Sequence, residues 1–239
     1  MLNRRDTIQD ALDSLARQDH ADVEHIVVDG SSRDGTREIL ERNRARISTL
    51  VCEKDAGMYH ALNKGIALAT GDVIGFLHAD DTLAHERVLS RIAHALADVR
   101  FDAAYGDLVY VSKRDTARVV RHWRAGPFSR SRLAWGWMPP HPTFYARRAV
   151  YERLGAFDTR HRIAADYDCL LRFLGKGGVV PAYLPEVLVR MRLGGASNGS
   201  LRRIVRKSWE DYRALRENEV GGLRALACKN LGKLAQFRA

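Results

Sequence analysis

Cysteine is scarce in this chain. Cys52, Cys169 and Cys228 are three widely spaced residues in 239. With no CxxC pair and no histidines at ligand spacing, neither a disulfide framework nor a zinc site is expected, and a reducing cytosol fits best. Long apolar runs are also missing, and none approaches the ~18 residues that a membrane-spanning helix needs. The charged start Asn3-Arg4-Arg5-Asp6 does not have the make-up of a secretory leader. The protein is expected to be cytoplasmic, with at most peripheral attachment to the inner membrane face. Acidic residues are outnumbered, 29 to 39 basic, for a net charge of +10. An anionic partner is therefore plausible, whether nucleotide phosphate, nucleic acid or phospholipid, but net charge alone does not choose. From Leu201 to Ala239 ten Lys or Arg face four Asp or Glu, so six of the ten excess charges lie there. Nucleic acid has only this charge in its favour, with no motif and no aromatics interleaved in the basic stretches. There is no internal repeat and no low-complexity segment.

What is present is an alternation of two hydrophobic rhythms. Ile8, Leu12 and Leu15 recur at helical spacing, and His25-Ile26-Val27-Val28 is a compact apolar run ending at Asp29-Gly30. The pattern repeats: a helix near 34–44, a strand near 49–52, a helix over 58–69, and a strand over Val73-Ile74-Gly75-Phe76-Leu77 before Ala79-Asp80-Asp81. Repeated strand and helix units predict a mostly parallel sheet with helices on both faces. A helix near 86–97 precedes strands near 103–111 and 119–123. A loop then runs through Trp135-Gly136-Trp137-Met138-Pro139-Pro140-His141-Pro142. A helix near 166–174 and strands near 179–184 and 187–191 follow. The tail reads as two basic amphipathic helices divided at Gly221-Gly222. Two units are expected, a catalytic domain over 1–198 and a helical tail over 199–239. No apolar strand precedes Asn3, so either the start of the sequence is placed too late or a central strand of the sheet is missing.

Ligands of such sheets gather at the carboxyl ends of the strands, and three acidic segments fall there. Val27-Val28-Asp29-Gly30-Ser31-Ser32 brings Asp29 to the edge, with small residues that permit close approach. Asp55-Ala56-Gly57-Met58 leads into a helix whose N-terminus suits a phosphate. His78-Ala79-Asp80-Asp81 places adjacent carboxylates after a buried strand, and these need a counter-charge such as a divalent cation. Each segment alone also reads as an ordinary helix cap or surface turn.

Together, in this order, the three resemble the family 2 glycosyltransferases of the GT-A fold. The resemblance extends through Tyr105-Gly106-Asp107, His141-Pro142-Thr143-Phe144, Gly155-Ala156-Phe157-Asp158, Ala165-Asp166-Tyr167-Asp168 and Arg192-Leu193-Gly194-Gly195-Ala196-Ser197. By that likeness the nearest enzymes act in bacterial cell-surface polysaccharide assembly, of the colanic-acid type. The resemblance implies a metal-dependent, inverting hexosyltransferase. Asp29 and Asp55 would bind the nucleotide and Asp80 the ribose or sugar. Asp81 would hold Mn²⁺ or Mg²⁺, with His141 a second candidate ligand. Asp166 would be the base, with Asp168 ranked below it because neighbours two apart on a helix do not share a face. Arg192 would clamp the diphosphate of a UDP- or GDP-sugar. Trp135 and Trp137 offer flat faces for a sugar or lipid, or belong to the core.

The implied acceptor is a saccharide or polyprenyl-linked saccharide. Leu201, Ile204, Val205, Trp209 and Tyr212, beside Arg202, Arg203, Arg206 and Lys207, form a basic amphipathic face suited to anionic lipid. A helix packed on the catalytic domain is the other reading of that segment. His78 stands where Asn is frequent in the family, and Ala165 where an acid often precedes the base. Two alternatives compete: a catalytically impaired homologue that binds nucleotide or membrane without turnover, and a sugar-nucleotide pyrophosphorylase, which would need a Gly-rich basic phosphate loop at its first strand end.

Overall fold

The apolar run ending at Asp29 forms a strand, β1 (Ile26–Asp29), in which Val27 and Asp29 point inward, the alternation that a pleated strand imposes. A computed structural model describes residues 1–194 and 201–235. The Gly195-Ala196-Ser197 end of the last motif and the expected boundary at 198 lie outside them. Strand β1 pairs in parallel with β2 (Thr49–Cys52), Asp29 opposite Cys52. Helices α1 (Ile8–Ala16) and α2 (Thr36–Arg42) supply Ile8, Leu12, Ile39 and Leu40, which pack with Val27 and Ile47 in one cluster. Ile8, Ala11 and Leu12, three and four residues apart, form the buried stripe of α1.

A second sheet runs in the order β3 (Val73–Ile74), β7 (Tyr145–Arg147), β5 (Ala103–Val111), β8 (Pro181–Arg192), β4 (Thr82–Leu83), with β6 (Val119–Trp123) on β5. It is not mostly parallel as the alternation predicted. β5 and β8 run parallel, while the β3–β7, β7–β5, β5–β6 and β4–β8 pairs are antiparallel. The reason is β7, three residues long and too short to leave a period in the sequence, which enters between β3 and β5. Strand β3 keeps only Val73 and Ile74 of the predicted run. At Gly75 the Tyr145 ring occupies the place of a side chain, an added Cβ lying 2.1 Å from it. The two predicted strands 179–184 and 187–191 are one strand, β8. Its register against β5 shifts where Pro185 and Glu186 intervene between Leu184 and Val187, as a bulge does.

Among the described residues β1 and β2 form a sheet of their own, not hydrogen-bonded to the larger one. Met1 bonds to the end of β1: its amino group donates to the Val28 carbonyl at 2.6 Å, and the Gly30 N–H donates to the Met1 carbonyl at 2.7 Å.

The larger sheet is covered on one face by α4 (Val88–Ala97), whose Val88, Ile92 and Leu96 meet Leu108, Leu188 and Val189. The other core holds α3 (Met58–Leu68), α6 (Arg148–Leu154) and α7 (Ala165–Leu171). The tail helices α8 (Leu201–Glu217) and α9 (Leu223–Ala235) join that core through Ala214, Leu215 and Ala225.

The β5–β8 crossing depends on Gly106, where a Cβ would lie 2.6 Å from Leu188 and 2.8 Å from the Glu186 carbonyl. Gly106→Ala is expected to cost about 2–3 kcal/mol by overpacking. For a chain of this size that is a fall in Tm of roughly 5–10 °C in a thermal melt. An unchanged melting temperature would mean that the two strands do not approach this closely.

Candidate active site

Strand β4 begins directly after the turn His78–Asp81, which is closed by the Asp81 N–H donating to the His78 carbonyl at 3.0 Å. That turn sets Asp81 against the carboxyl end of β8. Its Oδ1 accepts the Arg192 backbone N–H at 3.2 Å, and its Oδ2 is buried without a hydrogen-bond partner among the described residues. Asp81 is 1% exposed. Burial pushes its carboxyl up to about 8, with the Asp80 charge adding and the Arg192 N–H opposing. A carboxylate with one orphaned oxygen in a dry place is costly without a cation. The fit to a divalent ion is therefore good: Asp81, with Asp80 beside it, supplies the hard oxygen donors that Mn²⁺ and Mg²⁺ prefer. Asp80 remains partly open, 4.0 Å from the Arg4 guanidinium.

Arg192 is held rather than loose. Its Nη1 lies 3.4 Å from the Asp80 carbonyl, its Nη2 is paired with Asp10 of α1, and the residue is buried. To clamp a diphosphate it would have to leave that carboxylate.

Asp166 is the second acid of the site. Helix α7 is buried almost all round, through Ala165, Tyr167, Asp168, Cys169, Leu170 and Leu171, and Asp166 alone in it is half-exposed. Its Oδ1 accepts the Tyr167 N–H at 2.8 Å and lies 3.1 Å from the Tyr59 hydroxyl, which is also 2.8 Å from the Ile163 carbonyl. Asp168 faces inward, bound by Asn218 at 2.8 Å and Arg172 at 3.4 Å, which is a structural use.

Two imidazoles bring the acids into one neighbourhood. His141 opens a single 3₁₀ turn (His141–Thr143) and packs its ring 5.6 Å from Phe76, 5.4 Å from Phe157 and 6.2 Å from His78. Burial pulls His141 down to about 4 despite the nearby charge of Asp166, so the ring is neutral at ordinary pH and keeps a lone pair for a metal. Burial also lowers His78, against the charges of Asp80 and Asp166. The charge of Asp166 thus reaches both rings, and that of Asp80 reaches His78.

Asp29 is fully buried at the end of β1 and accepts the Ser32 N–H at 2.8 Å and its hydroxyl at 2.5 Å, which shapes the loop after the strand. Asp55 takes Lys64 of α3 through Oδ1, while its Oδ2 is buried without a hydrogen-bond partner. Trp137 belongs to the core edge, its indole N–H donating to the Ala125 carbonyl at 2.7 Å. Trp135 is exposed, with the Arg224 guanidinium 3.6 Å from its ring centroid.

No pattern in the sequence signals what secures α7. Glu210 of α8, itself buried, accepts the backbone N–H groups of Ile163 at 2.7 Å and Ala164 at 3.1 Å. These amides lead into the helix that carries Asp166, and a carboxylate there serves as its N-terminal cap. Asn63 of α3 brackets Phe157 with two bonds of 2.8 and 2.9 Å. Asp158, His161 and Glu217 have ligand atoms within 4.8 Å of one another. Arg160 and Arg213 already hold those two carboxylates at 2.6 and 2.7 Å, and the group includes neither Asp80 nor Asp81.

A sheet with acids at its strand ends, paired carboxylates before β4 and a half-open carboxylate on α7 define a transferase of the GT-A kind, and comparison with known proteins agrees. Residues 1–156 match the family described as glycosyl transferase family 2, so the chain belongs to that family of enzymes. It is 32% identical over 202 residues to the PGL/p-HBAD biosynthesis glycosyltransferase of Mycobacterium bovis, covering 82% of this chain and 76% of that one. That relative is not a colanic-acid enzyme, and the likeness stands at the level of family 2. The fold matches the mannosyltransferase PcManGT of Pyrobaculum calidifontis, solved with GDP-Man and Mn²⁺: TM-score 0.67, 22% identity, 99% of this chain and 68% of that one. It also matches S. aureus TarS 1–349 in complex with UDP-GlcNAc, with a TM-score of 0.66 at 18% identity over 92% of this chain. The chain spans 64% of that TarS fragment and 38% of the longer TarS chain.

Two outcomes follow for the site. Glu210→Ala removes the acceptor of two amides at a cost of about 2 kcal/mol, and the Ile163 and Ala164 amides should then exchange with deuterium roughly 30-fold faster. Unchanged protection of both would show that α8 does not hold α7. Mn²⁺ at saturating concentration is expected to raise the Tm of the wild type by mass action. Asp81→Asn should abolish that rise, and an equal rise in the variant would place the ion elsewhere.

Proposed function

We propose that the chain is an inverting, divalent-cation-dependent hexosyltransferase. It moves a sugar from a UDP- or GDP-sugar onto a saccharide or lipid-linked saccharide acceptor in cell-surface glycoconjugate assembly. The observation that carries this is a buried acid with one unbonded oxygen, Asp81, on the turn that starts at His78, together with a half-open acid, Asp166, whose charge reaches both the His78 and His141 rings. The relatives support the donor class, since PcManGT was solved with GDP-Man and Mn²⁺ and TarS with UDP-GlcNAc. The mycobacterial relative's name supports a role in envelope glycoconjugates.

In the reaction the acceptor hydroxyl oxygen bonds to the anomeric carbon as the bond from that carbon to the diphosphate oxygen breaks, its electrons leaving with the nucleoside diphosphate. Asp166 takes the acceptor's proton. Its Oδ1 is committed to Tyr167 and Tyr59, which leaves Oδ2 for the hydroxyl and fixes the carboxylate's plane. Attack from the side opposite the leaving group inverts the anomeric configuration in one step. Asp29 and Asp55 border the nucleotide and Asp80 the ribose or sugar. Asp81, with His141 near, would hold a divalent cation, which when bound would supply Lewis-acid stabilisation to the leaving diphosphate.

The test is to incubate the protein with a panel of UDP- and GDP-sugars, saccharide and polyprenyl-linked acceptors and Mn²⁺, with and without chelator, and to follow nucleoside diphosphate release and glycosylated product. Chelator-sensitive transfer from at least one donor is expected. Asp166→Asn should lower it by about 10²-fold or more while leaving donor affinity nearly unchanged. Donor binding without transfer from any donor would instead support a nucleotide-binding homologue without turnover.

A further inference from the structure

Helix α8 has two unlike faces, and its acids are all turned to one side. Glu210 and Asp211 are buried. Glu210 is on the Ile163 and Ala164 amides, and Asp211 lies 2.9 Å from Lys207 and 2.8 Å from Lys229, whose ammonium also rests over the Tyr167 ring. Glu217 is taken by Arg213 and His161, and Glu219, just beyond the helix, by Lys176. Ala214, Leu215 and Asn218 complete the inward side.

The opposite face has no such partners. Val205 and Trp209, 63 and 58% exposed, fall at 100° per residue in one stripe with Tyr212 and Arg216, and Ile204, 54% exposed, projects about 100° to the side of Val205. Arg213 lies beside the Trp209 ring, 5.7 Å from its centroid, and Arg216 is exposed with no ion pair among the described residues. With the acids consumed inward, what the tail presents outward is aliphatic and aromatic surface edged by cations, on a chain of net charge +10. No helix among the described residues is long and apolar enough to cross a membrane.

We infer that this face of α8 docks on the surface of an anionic phospholipid membrane, with Val205 and Trp209 at the headgroup boundary, Ile204 flanking them and Arg216 on the lipid phosphates. Two features select lipid among anionic partners. Exposed Ile and Val have nothing to stack on in a nucleic acid, whereas they partition into acyl chains. Trp beside Arg is the pairing that settles at a bilayer interface. The inference stands on α8 alone and does not depend on the catalytic reading.

The experiment is co-sedimentation of the full chain with vesicles of phosphatidylcholine alone and with vesicles a third phosphatidylglycerol, at low and high salt, with light scattering for oligomeric state. Binding is expected to the anionic vesicles, weakened by salt and by removal of phosphatidylglycerol. Changing Ile204, Val205 and Trp209 together to Ser should abolish it with an unchanged melting temperature. Arg216→Glu should weaken it about fivefold or more. Absence of sedimentation with anionic vesicles would overturn the inference, as would equal binding by the triple variant. So would a wild-type dimer that the triple variant converts to monomer, which would assign the stripe to a second copy of the chain.

Discussion

The approach of β8 to β5 at Gly106 is the constraint on which most of the molecule hangs. The parallel pair β5–β8 is the axis of the larger sheet: β7 and β6 are added to β5, β4 to β8, and α4 lies against both. With no side chain at Gly106, Leu188 and the bulge at Pro185–Glu186 fold over β5. The bulge in turn sets the register by which Arg192, at the end of β8, meets Val111 on one side and Asp81 on the other. A sheet fixed at one glycine therefore decides where the cation-seeking carboxylate stands.

The buried carboxylates divide by what they receive. Asp29 is satisfied by Ser32, Asp107 by the Ala125 N–H and the Tyr183 hydroxyl, Asp168 by Asn218 and Arg172, Glu210 by two amides and Arg206. These are structural acids, each with an internal donor that offsets its desolvation. Asp81 and Asp55 differ, each keeping one buried oxygen without a hydrogen bond among the described residues. They lie in two of the three acidic segments that follow apolar runs, and an unmet buried acceptor is what a carboxylate built to receive a ligand would show.

Much of the element order was legible because periodicity is local. Strands 49–52, 103–111 and 119–123 and the helix opening at Met58 fall where the apolar pattern puts them. Strand direction was not legible, since a three-residue strand such as β7 has no period and its insertion reverses the sheet's character. The acids of the site could be read because they occur in short segments after apolar runs. Their supports could not. Glu210 meets Ile163 from 47 residues away and Asp10 meets Arg192 from 182, and on a helix each looks like any surface acid. Arg192 illustrates the same limit, because its sequence position suggests a mobile clamp while its guanidinium is paired with α1.

Helix α8 joins these threads. A count of charges gives the tail an excess of cations, but only the pairing pattern says where that excess points. Glu210 and Trp209 are adjacent in sequence and so project about 100° apart from one helix. Glu210 holds the amides two and three residues before Asp166, while Trp209 faces out. A single helix, about 10 Å across with its side chains, therefore fixes both the approach to Asp166 and the outward apolar stripe. Because the inner contacts are buried and ionic, the helix cannot roll without uncovering charges that have no other partner. The orientation of Asp166 relative to the outward stripe is then a rigid property of the fold, and if that stripe lies on lipid and Asp166 is the base, an acceptor tethered in the membrane plane would meet it at one height and angle rather than by chance.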